Sequence, residues 1–239
     1  SEFSSVAHDD SNNMLLRAQS GDVHAQYLMG VSLTSGDGFE KNEVEAISWY
    51  KKAAEQGLPE AQYDLAYMFL MGVGTSQNPE RAFFWTKKSA EQGLIRAQFN
   101  LSLMYKLGDG VAVSSEDAIY WALKAAEKGH RDSQYNLGTW YGSGDGVLVD
   151  NEKAFKWYLE AAMQGSENAK VIVAMRYLSG TGVEEDIIRA YAWMSATESD
   201  GASGYFDQVR SKMSQRQIDE AELFIYKCAD TMFNNCNVE

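Results

Sequence analysis

The sequence predicts an all-α fold, a right-handed superhelical solenoid of five 36-residue helix-pair repeats, with half a repeat before them and a capping helix after. Three observations carry this. Trp49, Trp85, Trp121, Trp157 and Trp193 stand 36 residues apart, as do Ala46, Ala82, Ala118, Ala154 and Ala190. Gly57, Gly93, Gly129, Gly165 and Gly201 keep the same step, and so do the two glycine rows that begin at Gly36 and Gly38. Only two prolines interrupt 239 residues, which favours long stretches of helix. Self-similarity at a fixed period is the signature of a stacked-repeat architecture.

Each unit reads as helix, glycine loop, helix, glycine turn. Over 61–71, Ala61, Leu65, Met68 and Phe69 fall on one helical face. The small residues Gly30, Ala66, Ser102, Gly138 and Ala174 allow a second helix to approach closely. Paired glycines such as Gly108 and Gly110 supply the left-handed conformations that end the first helix. Asn42, Asn78, Ser114, Asp150 and Asp186 then stand where the second helix needs an N-cap, and Pro79 follows Asn78 at the first helical position. Leu15, Ala18 and Gly21 match the end of a second helix one period early. After the fifth unit the register breaks, and Ser214 begins a helix at about 215–232 with Ala221, Phe224, Ile225 and Cys228 on one face. This divides the chain into a leader or tag (1–12, with Ser1-Glu2-Phe3 resembling a cloning scar), a repeat array (13–201) and a C-terminal cap (202–239), which shields the last repeat from water.

Composition excludes several functions. The chain is 45% apolar and carries 21 basic against 34 acidic residues, a net charge of −13. That charge opposes contact with phosphate backbones, so nucleic acid is not an expected partner. An acidic surface suits a basic partner and also keeps a protein soluble. No apolar run approaches the roughly 18 residues of a membrane span. Three scattered histidines and two thiols suggest no metal site, and no cofactor is expected. Cys228 and Cys236 read either as a local disulfide in an oxidising compartment or as two unrelated thiols. The Gly-Asp-Gly loops lack the lysine of a phosphate loop and the carboxylates of a calcium loop, so they read as turns. The recurring tryptophans, and Trp140 outside their series, read as core. No serine, histidine and acid recur in a catalytic arrangement.

Residues 133–165 carry a resemblance. Leu137-Gly138, Tyr141, Gly144, Gly146-Val147, Asp150, Lys153-Ala154, Trp157-Tyr158, Ala161-Ala162 and Gly165 form a pattern that resembles the Sel1-like repeat, a relative of the tetratricopeptide repeat. The likeness covers about residues 14–201. Phe39 departs from the usual valine, and Glu198 from the usual alanine. The resemblance implies a bacterial, non-catalytic adaptor, often exported and thus periplasmic or envelope-associated, with a cytoplasmic place as the alternative. It implies another protein as partner, an envelope protein or a secreted (type VI) toxin effector to which an immunity protein binds. Scaffolding of envelope or exopolysaccharide machinery and host contact are alternative roles. A hydrolase of cell-wall or β-lactam compounds is remote, because this chain lacks the repeated cysteine pairs linked to that activity.

Specificity belongs to positions that vary while sharing a face. In related helical repeats the first helix of each pair lines the concave groove, and steps of four, three and four residues stay on one face. This yields Asp64, Tyr67 and Met71 in the second unit and Arg96, Asn100, Leu103 and Leu107 in the third. Asn136 and Thr139 follow in the fourth unit, and Ile172 and Met175 in the fifth. An apolar strip with amides and an arginine among it suits a peptide segment or partner helix bound by a monomer. The alternative is that curvature buries these residues against neighbouring first helices.

Overall fold

A computed structural model describes residues 12–198 and 203–228. All regular structure among them is helical. A first helix, α1, covers residues 12–19. The first helices of the five repeats are α2 (Val23–Ser35), α4 (Pro59–Met71), α6 (Ile95–Leu107), α8 (Arg131–Ser143) and α10 (Glu167–Ser179). The second helices are α3 (Glu43–Glu55), α5 (Pro79–Glu91), α7 (Ser115–Glu127), α9 (Asn151–Met163) and α11 (Ile187–Ser195). Two more helices follow, α12 (Ser203–Ser211) and α13 (Gln215–Cys228). The chain divides within α7 into two compact units, one through Ala125 and one from Ala126.

The helix ends follow the sequence. Asn42, Asn78, Ser114, Asp150 and Asp186 each accept a hydrogen bond from the backbone N–H three residues on, at 2.9 to 3.2 Å. Each satisfies an otherwise orphaned donor of the helix start. Gly36, Gly72, Gly108, Gly144 and Gly180 are left-handed C-caps. The second glycine of three of the loops answers a different demand. A Cβ on Gly74 would strike the Glu43 carbonyl, one on Gly110 that of Pro79, and one on Gly182 that of Asn151, all under 3.0 Å. The loop of one repeat thus rests its bare backbone on the first turn of the preceding second helix.

In the first unit, α2 packs on α3 and α4 on α5, and α3 on α4 and α5 on α6 join successive repeats. Its core includes Met29, Trp49, Leu65, Met68 and Met104. Leu65 and Leu101 are fully buried, one repeat apart.

In the first four repeats, side-chain size is traded between the helices. A Cβ on Gly30 would lie 2.8 Å from the Tyr50 ring, and one on Gly138 2.7 Å from the Tyr158 ring. Where the first helix carries Ala66 or Ser102, the facing position carries Thr86 or Ala122 instead, and all four are buried. Close packing makes the two positions share one volume.

In the second unit, α8 packs on α9, α9 on α10 and α10 on α11, and α11 contacts both α12 and α13. Trp193 and Leu137 are fully buried. Trp140 is also buried, as are Trp49 and Trp121, whereas Trp85 and Trp157 are half-buried. Ser214 caps α13 through a capping box, its hydroxyl accepting from Gln217 N–H while Gln217 Oε1 accepts from Ser214 N–H. Ile218, Ala221, Phe224 and Cys228 form the buried face of α13, with Ile225 half-buried beside it. Cys236, the other thiol of the pair read in the sequence, lies outside the described residues. The short α12, whose Val209 is fully buried, has no counterpart in the repeat pattern.

His130 begins α8 as its N-cap, Nδ1 accepting from Ser133 N–H at 3.2 Å. Burial holds its imidazole below the ordinary value of 6.5, with Asp132 pulling it up and Arg131 pushing it down. Only the neutral ring can accept that bond. Its contribution, about 1 kcal/mol for a helix cap, is therefore present above pH 6.5 and lost as pH falls through the lowered value. Urea melts of wild type and His130→Ala, which removes the cap, should converge on acidification, and a constant gap between them would contradict this.

Candidate functional site

The first-helix face of the first unit holds two clefts. One, of about 150 Å³, lies between α4 and α6 and is lined by Tyr63, Tyr67, Leu70, Asn100, Leu103 and Leu107, with Ala66 and Thr86 at its base. The other, of about 360 Å³, lies between α2 and α4 beside Tyr27, Val31, Tyr50, Asp64 and Tyr67. Tyr67 is the wall they share. The size trade explains the first cleft: Thr86 stands where Tyr50 and Tyr158 stand in their repeats, and the missing ring leaves the space open. Tyr67 is 52% exposed and Leu107 67%, so large apolar side chains rim the clefts in contact with water, and Met71 at the end of α4 is 51% exposed.

Polar groups on this face are already engaged. The Tyr27 hydroxyl donates to Asp64 Oδ2 at 2.9 Å, and Asn100 Nδ2 donates to the Tyr63 hydroxyl at 3.0 Å. Both bonds join one repeat to the next at the same separation of 37 residues. Burial raises the Asp64 carboxyl above its usual value, against the lowering effect of the Tyr27 bond and of Arg96. Burial and the neighbouring carboxylate push the Tyr27 hydroxyl up to about 12. Arg96 sits 3.9 Å from Asp64 Oδ1 and 4.5 Å from the centre of the Tyr63 ring. These groups clamp adjacent first helices, and the ladder needs a ring hydroxyl that Phe99 lacks.

The second unit presents a different face. Thr139 is exposed and accepts from the Tyr158 hydroxyl at 3.0 Å, while Asn136, Ile172 and Met175 are half-buried. The Tyr135 and Tyr158 rings meet edge-on at 5.6 Å. Arg176 is drawn inward, its guanidinium 3.2 Å from the Thr181 carbonyl, and burial lowers its pKa.

Comparison with known proteins places the chain. The family model of the Sel1 repeat matches residues 23–58, 59–94, 95–130, 131–166 and 169–196. The chain belongs to the Sel1 repeat family. A Sel1 repeat protein from Oxalobacter formigenes is 33% identical with a TM-score of 0.70, over 74% of this chain and 73% of that one. A protective antigen of uropathogenic Escherichia coli strains, which displays an SLR fold, is 25% identical with a TM-score of 0.40, over 96% and 67%. A Sel1 repeat protein from Klebsiella pneumoniae is 23% identical with a TM-score of 0.47, over 84% and 99%. A comparison with curated proteins finds no match. Sel1 repeat proteins generally mediate protein–protein interaction and are typically non-catalytic scaffolds. No helix among the described residues is long and apolar enough to cross a membrane, and no group of three or more metal-ligating side chains occurs among them.

The positions predicted to share a face thus divide by unit and by role. Tyr67, Leu103 and Leu107 line the clefts of the first Sel1 unit and Met71 is exposed at the end of α4, while Asp64, Arg96 and Asn100 hold its helices together. Asn136, Thr139, Ile172 and Met175 lie in the second unit. Tyr63, Leu70 and Thr86 complete the site and were not singled out by spacing. A second set also escaped. Gln26, Gln62, Gln98 and Gln134 are buried, and each side-chain amide donates at 3.0 to 3.1 Å to a carbonyl of the preceding second helix. Gln56, Gln92 and Gln164 donate in turn to Gln26, Gln62 and Gln134. The 36-residue step of these glutamines was available as the signal.

Proposed function

We propose that this Sel1 repeat protein is a non-catalytic adaptor that binds a partner protein through the first-helix face of its first unit. The pair of clefts on either side of Tyr67 carries the reading. Each is an apolar recess between two first helices, and packed helices lie about 8–10 Å apart. A partner segment placing two apolar side chains at that separation fills both. Exposed tyrosine and methionine suit such adaptable anchoring. Asp64, Arg96 and Asn100 hold the clefts in shape, and Asn136, Thr139, Ile172 and Met175 belong to the second unit's own first-helix face.

The periplasm or envelope is the place we assign to this activity. Within it, the finer role is that of an immunity protein against a secreted toxin. A net charge of −13 supports that role, since it suits a basic partner.

Two variants test the binding face. Tyr67→Asp with Leu103→Asp puts charge into both clefts. Ala66→Gly with Thr86→Tyr transplants the Gly30/Tyr50 pair and fills the smaller cleft with a ring the fold already accommodates elsewhere. A partner isolated from envelope extracts by the wild-type chain, then titrated calorimetrically, should bind each variant about 100-fold more weakly, roughly 2.7 kcal/mol. Helicity should be unchanged. Equal affinity for wild type and both variants would move the site off this face.

A further inference from the structure

The second helices of the first unit carry a feature that packing does not require. The position held by Phe84 in α5 and Tyr120 in α7 is Ser48 in the first repeat and Lys156 in the fourth. The fold therefore accepts small or charged side chains there. Phe84 is nonetheless 50% exposed and Tyr120 51%. Each is braced edge-on by the tryptophan that follows it, Phe84 at 5.0 Å and Tyr120 at 5.2 Å between ring centres.

A row of lysines runs along the same helices at the 36-residue step. Lys52 lies 3.8 Å from the centre of the Trp49 ring, Lys88 5.1 Å from that of Phe84, and Lys124 5.0 Å from that of Tyr120. The neighbouring Lys51 and Lys87 pair with Glu55 and Glu91. Lys52, Lys88 and Lys124 have no ion-pair partner among the described residues. A cation in the last turn of a helix complements its dipole by about 0.3–1 kcal/mol, which accounts for the lysines. It does not account for two large rings left in water beside them.

We propose that Phe84, Tyr120, Lys88 and Lys124, extended by Lys52, form a second docking face for an acidic polypeptide segment bearing apolar or aromatic anchors. Charge complementarity selects the occupant. On a chain of net charge −13, an acidic segment is repelled by the bulk of the surface and attracted to this row of uncompensated cations. The exposed rings select a polypeptide over a bare polyanion, because only a partner with apolar side chains gains by covering them. The lysines are already held over ring faces, so less side-chain freedom is lost when they meet carboxylates. Because this face lies on the second helices and the clefts on the first, the chain can hold two partners at once.

The test is selection from a random-peptide library on the full chain, with counter-selection on Phe84→Ser/Tyr120→Ser, serine being the residue of the first repeat. If that variant does not fold, Lys88→Gln/Lys124→Gln replaces it. Enriched peptides should be rich in aspartate and glutamate and carry an aromatic residue or leucine. Their affinity should fall about tenfold or more in Lys88→Gln/Lys124→Gln and weaken as salt rises. It should be untouched by Ala66→Gly/Thr86→Tyr, which separates this face from the clefts. Three results would overturn the proposal. They are no face-dependent peptides, neutral or basic ones, or tighter binding at these lysines by short polyphosphate or phosphatidylglycerol vesicles than by any peptide.

Discussion

Replacing Gly110 by alanine is expected to destabilise the protein by about 2–5 kcal/mol. Two costs add. A left-handed backbone penalises any residue with a Cβ by about 1–2 kcal/mol. Gly110 has φ of 71°, so alanine meets that penalty in full. The new methyl also strikes the Pro79 carbonyl, the fixed start of α5, and forcing extra volume into a packed site costs about 1–3 kcal/mol more. Gly57 supplies the control. It has φ of 96° but nothing within 4 Å of its absent Cβ. Gly57→Ala should therefore show the first cost alone, about 1–2 kcal/mol. Urea denaturation followed by circular dichroism measures both. Equal losses at the two positions would mean that the loop does not rest on the preceding helix.

Leu101→Ala should cost about 2–5 kcal/mol, the range for emptying a fully buried leucine site. Leu101 has 0% exposure at the middle of α6. Position matters as much as volume here. In a linear array stability is a sum of repeat and nearest-neighbour terms, so weakening an internal repeat loosens both of its neighbours. The melt should broaden or split, because a single cooperative transition no longer spans the chain. A melt that shifts without broadening would show that the loss is shared by the whole array.

Most of what recurs in this chain, the glutamine ladder excepted, is legible in the sequence alone. Asn42, Asn78, Ser114, Asp150 and Asp186 cap where their spacing puts them, and the paired glycines end the first helices. These are local demands on single residues, met identically in each repeat. What escaped depends on relations between residues. A step of four, three and four set Asp64 and Asn100 on the first-helix face, yet it could not show that they already bond hydroxyls 37 residues earlier. The cleft at Thr86 needs a comparison between two helices of one repeat, the partner of Thr86 being Ala66, 20 residues back. The helix α12 lies beyond the register and had no periodic neighbour to betray it. The periodicity thus located the framework, while the clefts arise where one repeat departs from the others.

The exchange of volume between Gly30 and Tyr50, or Ala66 and Thr86, also bears on how such chains diversify. The two helices of a repeat are inherited as matched halves. A crossover inside the glycine loop that joined α4 to α3 would set Ala66 against Tyr50, and the methyl would overlap the ring. A crossover at the short turn after a second helix moves both halves together and leaves the match intact. Viable recombinants of this array should therefore carry their junctions at those turns, and gene duplication should copy it in units that begin at a first helix.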